Sequence, residues 1–254
     1  MKTSTSISVI LAAAMTLTVG ACKKYDGSKA EAQRQQWAES LNDSIARLTK
    51  ERAQDSLRVI ELRAGIAAEI GNFTEVSNPR EVEPYYILTA FRGAYPLTST
   101  GIAARIMKSE QLELVAALSG DRFNSIRVTS GDASVNSATV PADQALNYTS
   151  GGLTTVAFSG GAADSICDLV ARSAADPVRL EYLQNGAVRK TVTLSDRQKQ
   201  WLGATWKVCG AQKESHLLEQ KMLIDSRKIE ILKITLQEQK DKTDNSDLEK
   251  NSHK

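Results

Sequence analysis

The sequence predicts an α+β protein, with a β-rich, sandwich-like head flanked by two long amphipathic helices that pair as an antiparallel coiled-coil stalk. Three observations predict it. Apolar residues recur at helical spacing on both sides of the chain's centre. The centre carries short β-branched and aromatic runs between Gly, Ser and Asp clusters, and one of these pairs of runs has the turn chemistry of a hairpin. The 254 residues suffice for one domain with a real core plus accessory helices. With 32 basic against 30 acidic residues, no net field favours nucleic acid, which is not expected as a partner. Aromatic residues are 5% of the chain and charged residues 24%, a balance that suits solvated helices better than a thick core.

At the N-terminus Lys2 and a short polar stretch precede an apolar run from Ile7 to Val19, broken only by Ser8, Thr16 and Thr18. A bilayer span needs roughly 20 apolar residues, so this run reads as the hydrophobic region of a signal peptide over 1–21. Val19, Gly20, Ala21 and Cys22 follow as an aliphatic residue, two small residues and a cysteine. They resemble the lipobox of bacterial lipoproteins, and the resemblance covers only the first two dozen residues. It implies a diacylglyceryl group on the Cys22 thiol, cleavage before Cys22 and acylation of the new amino group. Acyl chains contributing about 0.8 kcal/mol per buried methylene would anchor the chain without spanning. Lys23 and Lys24 stand where an aspartate retains some lipoproteins in the inner membrane. The expected location is therefore the outer membrane of the cell envelope, with the head periplasmic or surface-facing. An ordinary secretory signal ending in Ala-Cys is the alternative, and it too exports the chain.

Residues 22–27 read as a tether, and Ser28 with Glu31 matches a capping box that opens a first stalk helix over 28–72. Leu41, Ile45, Leu48, Val59, Leu62, Ile66 and Ile70 line one face of it, interrupted by Arg52, Asp55 and Ser56. Asp43 with Arg47 and Arg47 with Glu51 suit the exposed side. Gly71 and Asn72 end the helix. A second stalk helix over 211–239 carries Leu218, Met222, Ile229, Leu232 and Leu236, with Asp225 as its polar interruption, before a polar tail over 240–254 predicted to be disordered. A chain that leaves and returns brings two such stripes together. Association between copies of the chain through the same faces is the alternative.

The head is expected over 76–209, with strands at Tyr85–Phe91, Leu112–Leu118, Ile126–Thr129 and Leu153–Phe158. The hairpin spans Val178–Leu194: Val178, Leu180 and Tyr182 alternate with polar residues, Asn185-Gly186 supplies a left-handed turn, and Val188, Val192 and Leu194 answer. A short helix is predicted over Ala162–Ala174. Ser195 with Gln198 makes another capping box, opening a second short helix that carries Trp201 and Trp206 on different sides. Tyr85 and Tyr86, adjacent in a strand, must face opposite ways.

With Cys22 lipidated, Cys167 and Cys209 remain, in an oxidising compartment. A bond between them would close a loop of about 40 residues, worth roughly 4 kcal/mol on the chain-entropy model. The other reading makes both small buried hydrophobes that never meet. The two histidines, His216 and His253, lie outside the predicted head, which argues against histidine-dependent hydrolysis there. No His or Cys cluster has zinc spacing, and Gly151-Gly152 and Gly160-Gly161 fit turns rather than phosphate loops. Ser159 lacks the glycine that precedes a nucleophile elbow. Asp121, Asp132, Asp143 and Asp164 are turn chemistry or, in the alternative, supply a carboxylate pair for glycoside hydrolysis. The expectation is a lipid-anchored, non-catalytic binding or display protein without a cofactor. Its partners are the membrane, through the lipid, and an envelope protein or a second copy of the chain.

Overall fold

The computed structural model describes residues 27–78, 81, 83–143 and 145–252, with side chains described from 29, apart from residue 30, and only as far as 242. The signal-peptide run, the lipobox with Cys22, the side chain of Ser28 and His253 lie outside the described residues. Two compact units emerge, one over Thr49–Lys228 and the other from the described parts of Met1–Leu48 and Ile229–Lys254.

Helix α1 spans Gly27–Ile70, strands β1 to β10 and helix α2 (Gly161–Arg172) follow, and helix α3 runs from Asp196 to Ser252. The strands are β1 (Phe73–Val76), β2 (Tyr85–Leu88), β3 (Gly101–Met107), β4 (Leu112–Ser119), β5 (Ser125–Ser130), β6 (Ala133–Asn136), β7 (Asn147–Ser150), β8 (Leu153–Ser159), β9 (Arg179–Gln184) and β10 (Ala187–Thr193). They form a six-stranded sheet ordered β1-β2-β3-β4-β8-β7 and a four-stranded sheet ordered β10-β9-β5-β6. Every pairing is antiparallel, so the fold is α+β.

Residues of both sheets, α2 and the start of α3 share one core. Tyr182 of β9 lies edge-on to Phe123 with centroids 5.0 Å apart, and its hydroxyl donates to the Gly101 carbonyl of β3 at 3.0 Å. That bond satisfies the polar tip of a buried ring, the condition for burying tyrosine. The hairpin turns at Asn185 (φ 53°) and Gly186 (φ 83°), the left-handed pair its sequence predicts. Its register shifts between Val188 and Lys190, and the extra residue turns Val188 outward. Val188 is therefore not a core residue as the alternation predicts, whereas Leu194 is. Tyr85 is buried and Tyr86 only half-buried, as adjacent strand positions require.

Three further expectations are corrected. The Ser195 capping box holds, with Ser195 N–H donating to Gln198 Oε1 at 3.0 Å and Gln198 N–H to Ser195 Oγ at 3.3 Å. The helix it opens, however, is α3 itself, so the boundary predicted between a head ending at 209 and a helix starting at 211 falls mid-helix. Gly203 and Gly210 only weaken a helix, by about 1 kcal/mol each, and no proline follows to stop it. Residues 240–252 are helical rather than disordered, because an existing helix propagates without a new nucleus through a Lys- and Asp-rich run lacking Gly and Pro. Phe91 belongs to a 3₁₀ turn (Thr89–Ala94) after β2, not to the strand.

In the Thr49–Lys228 unit, ion pairs join Asp55 to Lys221 (2.6 Å), Arg58 to Glu214 (2.8 Å), Arg63 to Glu219 (2.6 Å) and Glu69 to Lys207. From Asp55 to Glu69 the partners run back from Lys221 to Lys207, so these stretches of α1 and α3 run antiparallel. Val59 and Leu62 are buried there, as the predicted stripe requires. Among the described residues of the other unit, Leu48 and Ile229 are the buried apolar ones.

Candidate functional site

Strands β3 and β4 pair so that Arg105 stands opposite Glu113, and cross-strand partners share a face. Arg105 is only 4% exposed. Its Nε donates to Glu113 Oε1 at 2.7 Å, its two terminal nitrogens donate to Glu81 Oε1 and Oε2 at 2.9 and 3.0 Å, and one of them also reaches the Tyr95 hydroxyl at 3.0 Å. The guanidinium carbon lies 4.4 Å from the centroid of the Tyr85 ring. Burial works against the charge on Arg105, but the Glu81 hydrogen bond and the surrounding oxygens outweigh it and hold the pKa above its ordinary value. Burial pushes the Glu113 carboxyl up, with Arg105 partly offsetting it. Both carboxylates bond the one cation, so the cluster acts as a clamp that ties Glu81 and Tyr95 to the sheet.

The second arrangement is a groove of about 450 Å³ along α1 and α3. Gly65 and Gly210 leave space where side chains would stand, Leu62 and Ile66 give an apolar floor, and Trp206 forms a wall. A Cβ on Gly210 would meet the Trp206 indole at 3.4 Å. Trp206 is half-buried and donates Nε1–H to Asp168 Oδ1 at 3.2 Å, whereas Trp201 is buried and stacks on Phe91 at 4.9 Å. The rim carries Arg58 and Lys207 beside Glu61, Glu69 and Glu214, so both signs of charge flank the apolar floor. Such a surface suits a mixed polar and apolar chain segment.

No family model, curated protein or solved structure matches this chain.

Three of the four aspartates considered for hydrolysis are engaged with partners of their own. Asp143 accepts from the backbone N–H groups of Asn147, Leu146 and Ala145, and the first two of these bonds do most to lower its pKa. Asp121 accepts from the N–H of Arg122 at 2.7 Å, Asp132 is exposed beside the Gly131 turn, and Asp164 pairs with Lys213. Gly151, Gly152 and Gly160 all have positive φ, the turn reading of those pairs. His216 is exposed, 3.5 Å from Glu110. Among the described residues no group of three His, Cys, Asp or Glu could hold a metal ion, and no helix is long and apolar enough to cross a membrane. Cys167 and Cys209 are free thiols, both fully buried in the common core.

Sequence reasoning missed the Arg105 cluster. Its signal was a single charge inside each of two apolar runs, Ile102–Ile106 and Leu112–Leu118, but only the strand register shows that the two charges meet.

Proposed function

We propose that this chain is a lipid-anchored protein of the bacterial envelope whose soluble part is a non-catalytic binding module. The observation that carries the anchor is the apolar run Ile7–Val19 closing on Val19-Gly20-Ala21-Cys22. Lipid on Cys22 fixes the base, α1 and α3 form a coiled-coil stalk, and the sandwich-like head with its groove makes contact. The antiparallel ion pairs and the groove beside Trp206 support that division of labour. Membrane fractionation of the full-length chain beside Cys22→Ala, with protease added to intact cells, tests it. Retention lost in the variant is the expected result, and cleavage in intact cells then favours a surface partner over a periplasmic one. A variant that fractionates like the parent overturns the anchor.

A specific observation favours a second reading, assembly of the envelope through self-association. Leu217, Ile224 and Ile231 recur at seven-residue spacing along α3 and are 66%, 51% and 62% exposed. A mass that rises with concentration would favour this reading, whereas the display reading predicts a monomer.

A further inference from the structure

Helix α2 and the first turns of α3 pack along a seam defined by three contacts. Lys213 pairs with Asp164, Trp206 Nε1–H donates to Asp168 Oδ1 at 3.2 Å, and a Cβ on Gly203 would lie 3.7 Å from the Cα of Ala171. Positions rising along α2 meet positions falling along α3, so the helices are antiparallel here. The same register sets Cys167, between Asp164 and Asp168, against Cys209, between Trp206 and Lys213. Both cysteines are 0% exposed and belong to one core. The neighbouring Cys209 adds to the burial that pushes the Cys167 thiol up. A disulfide needs Cα atoms roughly 4.4–6.8 Å apart, a separation reached only where helices pack closely. The contact between Gly203 and Ala171 shows such close packing two turns away.

We infer that Cys167 and Cys209 are a disulfide site that joins α2 to α3 when the chain folds under oxidising conditions. The structure holds its reduced form. Burial drives both thiols above their ordinary pKa, Cys209 to about 12, so the folded dithiol supplies almost no thiolate and the bond forms before the core closes. With a small-molecule disulfide such as oxidised glutathione as oxidant, one thiolate attacks it, forms a mixed disulfide and expels one glutathione thiolate, which takes up a proton. The second cysteine thiolate then attacks the mixed disulfide at the protein sulfur and expels the second glutathione. Two protein thiols are oxidised to one disulfide, and one glutathione disulfide is reduced to two thiols.

The test uses the full chain carrying Cys22→Ala, which leaves only this pair. It is reduced in denaturant, refolded with oxidised glutathione and alkylated after a second denaturation. The expected result is loss of both alkylatable thiols, a tryptic peptide 128–172 joined to 208–213, and the same circular dichroism as the reduced, refolded chain. The bond should also resist reductant in the folded protein and yield to it in denaturant. A refolded chain that keeps both thiols, or carries glutathione on each, overturns the inference. So does a bonded chain that cannot regain the reduced chain's structure. Cys167→Ser and Cys209→Ser, each refolded alone, should give native circular dichroism without the linked peptide. This separates failure to pair from failure to fold.

Discussion

Taking a guanidinium out of water costs several kcal/mol, and Arg105 offsets that cost with two carboxylates, the Tyr95 hydroxyl and the face of Tyr85. Removing the cation alone strands Glu113 in the interior. Arg105→Ala is expected to cost about 3–5 kcal/mol in urea unfolding, and Arg105→Leu combined with Glu113→Leu to recover more than half of it. The Glu113 carboxyl has a raised pKa, so the folded state holds its proton more tightly than the unfolded chain does. Stability relative to Glu113→Gln should rise as pH falls through that raised value and level off below the unfolded carboxylate pKa. Glu69 behaves oppositely. Its pKa is lowered by the hydrogen bond from Lys207, so its contribution is present above the unfolded pKa and is lost as pH falls through the folded one. Urea titrations of Glu113→Gln and Glu69→Gln across the acid range should therefore show differences of opposite slope.

At the scale of the element, each long helix carries an aspartate that interrupts its apolar stripe. Asp55 of α1 accepts from Lys221 of α3 at 2.6 Å, while Asp225, only 3% exposed, is joined by Lys228 at 3.3 Å and keeps its Oδ2 without a hydrogen-bond partner. A buried oxygen left unpaired costs about 1–3 kcal/mol, so Asp225→Leu is expected to stabilise the chain by roughly 1 kcal/mol in thermal or urea unfolding. A destabilised variant would mean that this carboxylate has a partner worth more than the added apolar contact. Both interruptions are readable in the sequence as gaps in a helical stripe, and the Ser195 capping box and the Asn185-Gly186 turn are local chemistry that sequence states directly. The length of α3 is not readable in the same way. The helix cost of Gly203 and Gly210 is local, whereas the packing of Gly203 on Ala171 is a contact made 32 residues away in sequence. Strand β3 escaped detection for a related reason. Ala103, Ala104 and Arg105 have little β-propensity of their own, and only pairing with β4 makes them a strand. The cysteine pair lay between these cases, since composition names both residues and only the α2–α3 register sets them opposite each other.

The whole molecule divides unevenly, and the division predicts how it unfolds. Among the described residues, those of the common buried core lie between Tyr85 and Cys209, and Ile66 and Ile70 of α1 pack against that core. The ion pairs that align α1 with α3 from Asp55 to Glu69 also fall inside Thr49–Lys228. Among the described residues, the other unit has Leu48 and Ile229 as its buried apolar residues, too few to resist an unpaired charge. In a Trp37→Phe background, which leaves Trp201 and Trp206 as the only tryptophans, Leu48→Asp is accordingly expected to lower the transition of that unit while leaving the Thr49–Lys228 transition in place, read as an early loss of helical circular dichroism before the tryptophan fluorescence changes. A chain of residues 49–228 alone should unfold in one cooperative step, at a midpoint close to that of the fluorescence transition in the full chain, because it keeps the whole core and all four ion pairs. If Leu48→Asp instead shifts both signals together, the long helices belong to the same cooperative unit as the sheets and a stalk that melts independently is ruled out. If residues 49–228 lack a cooperative transition, the core depends on helix beyond Thr49 and Lys228, and the boundary between head and helices has to be redrawn.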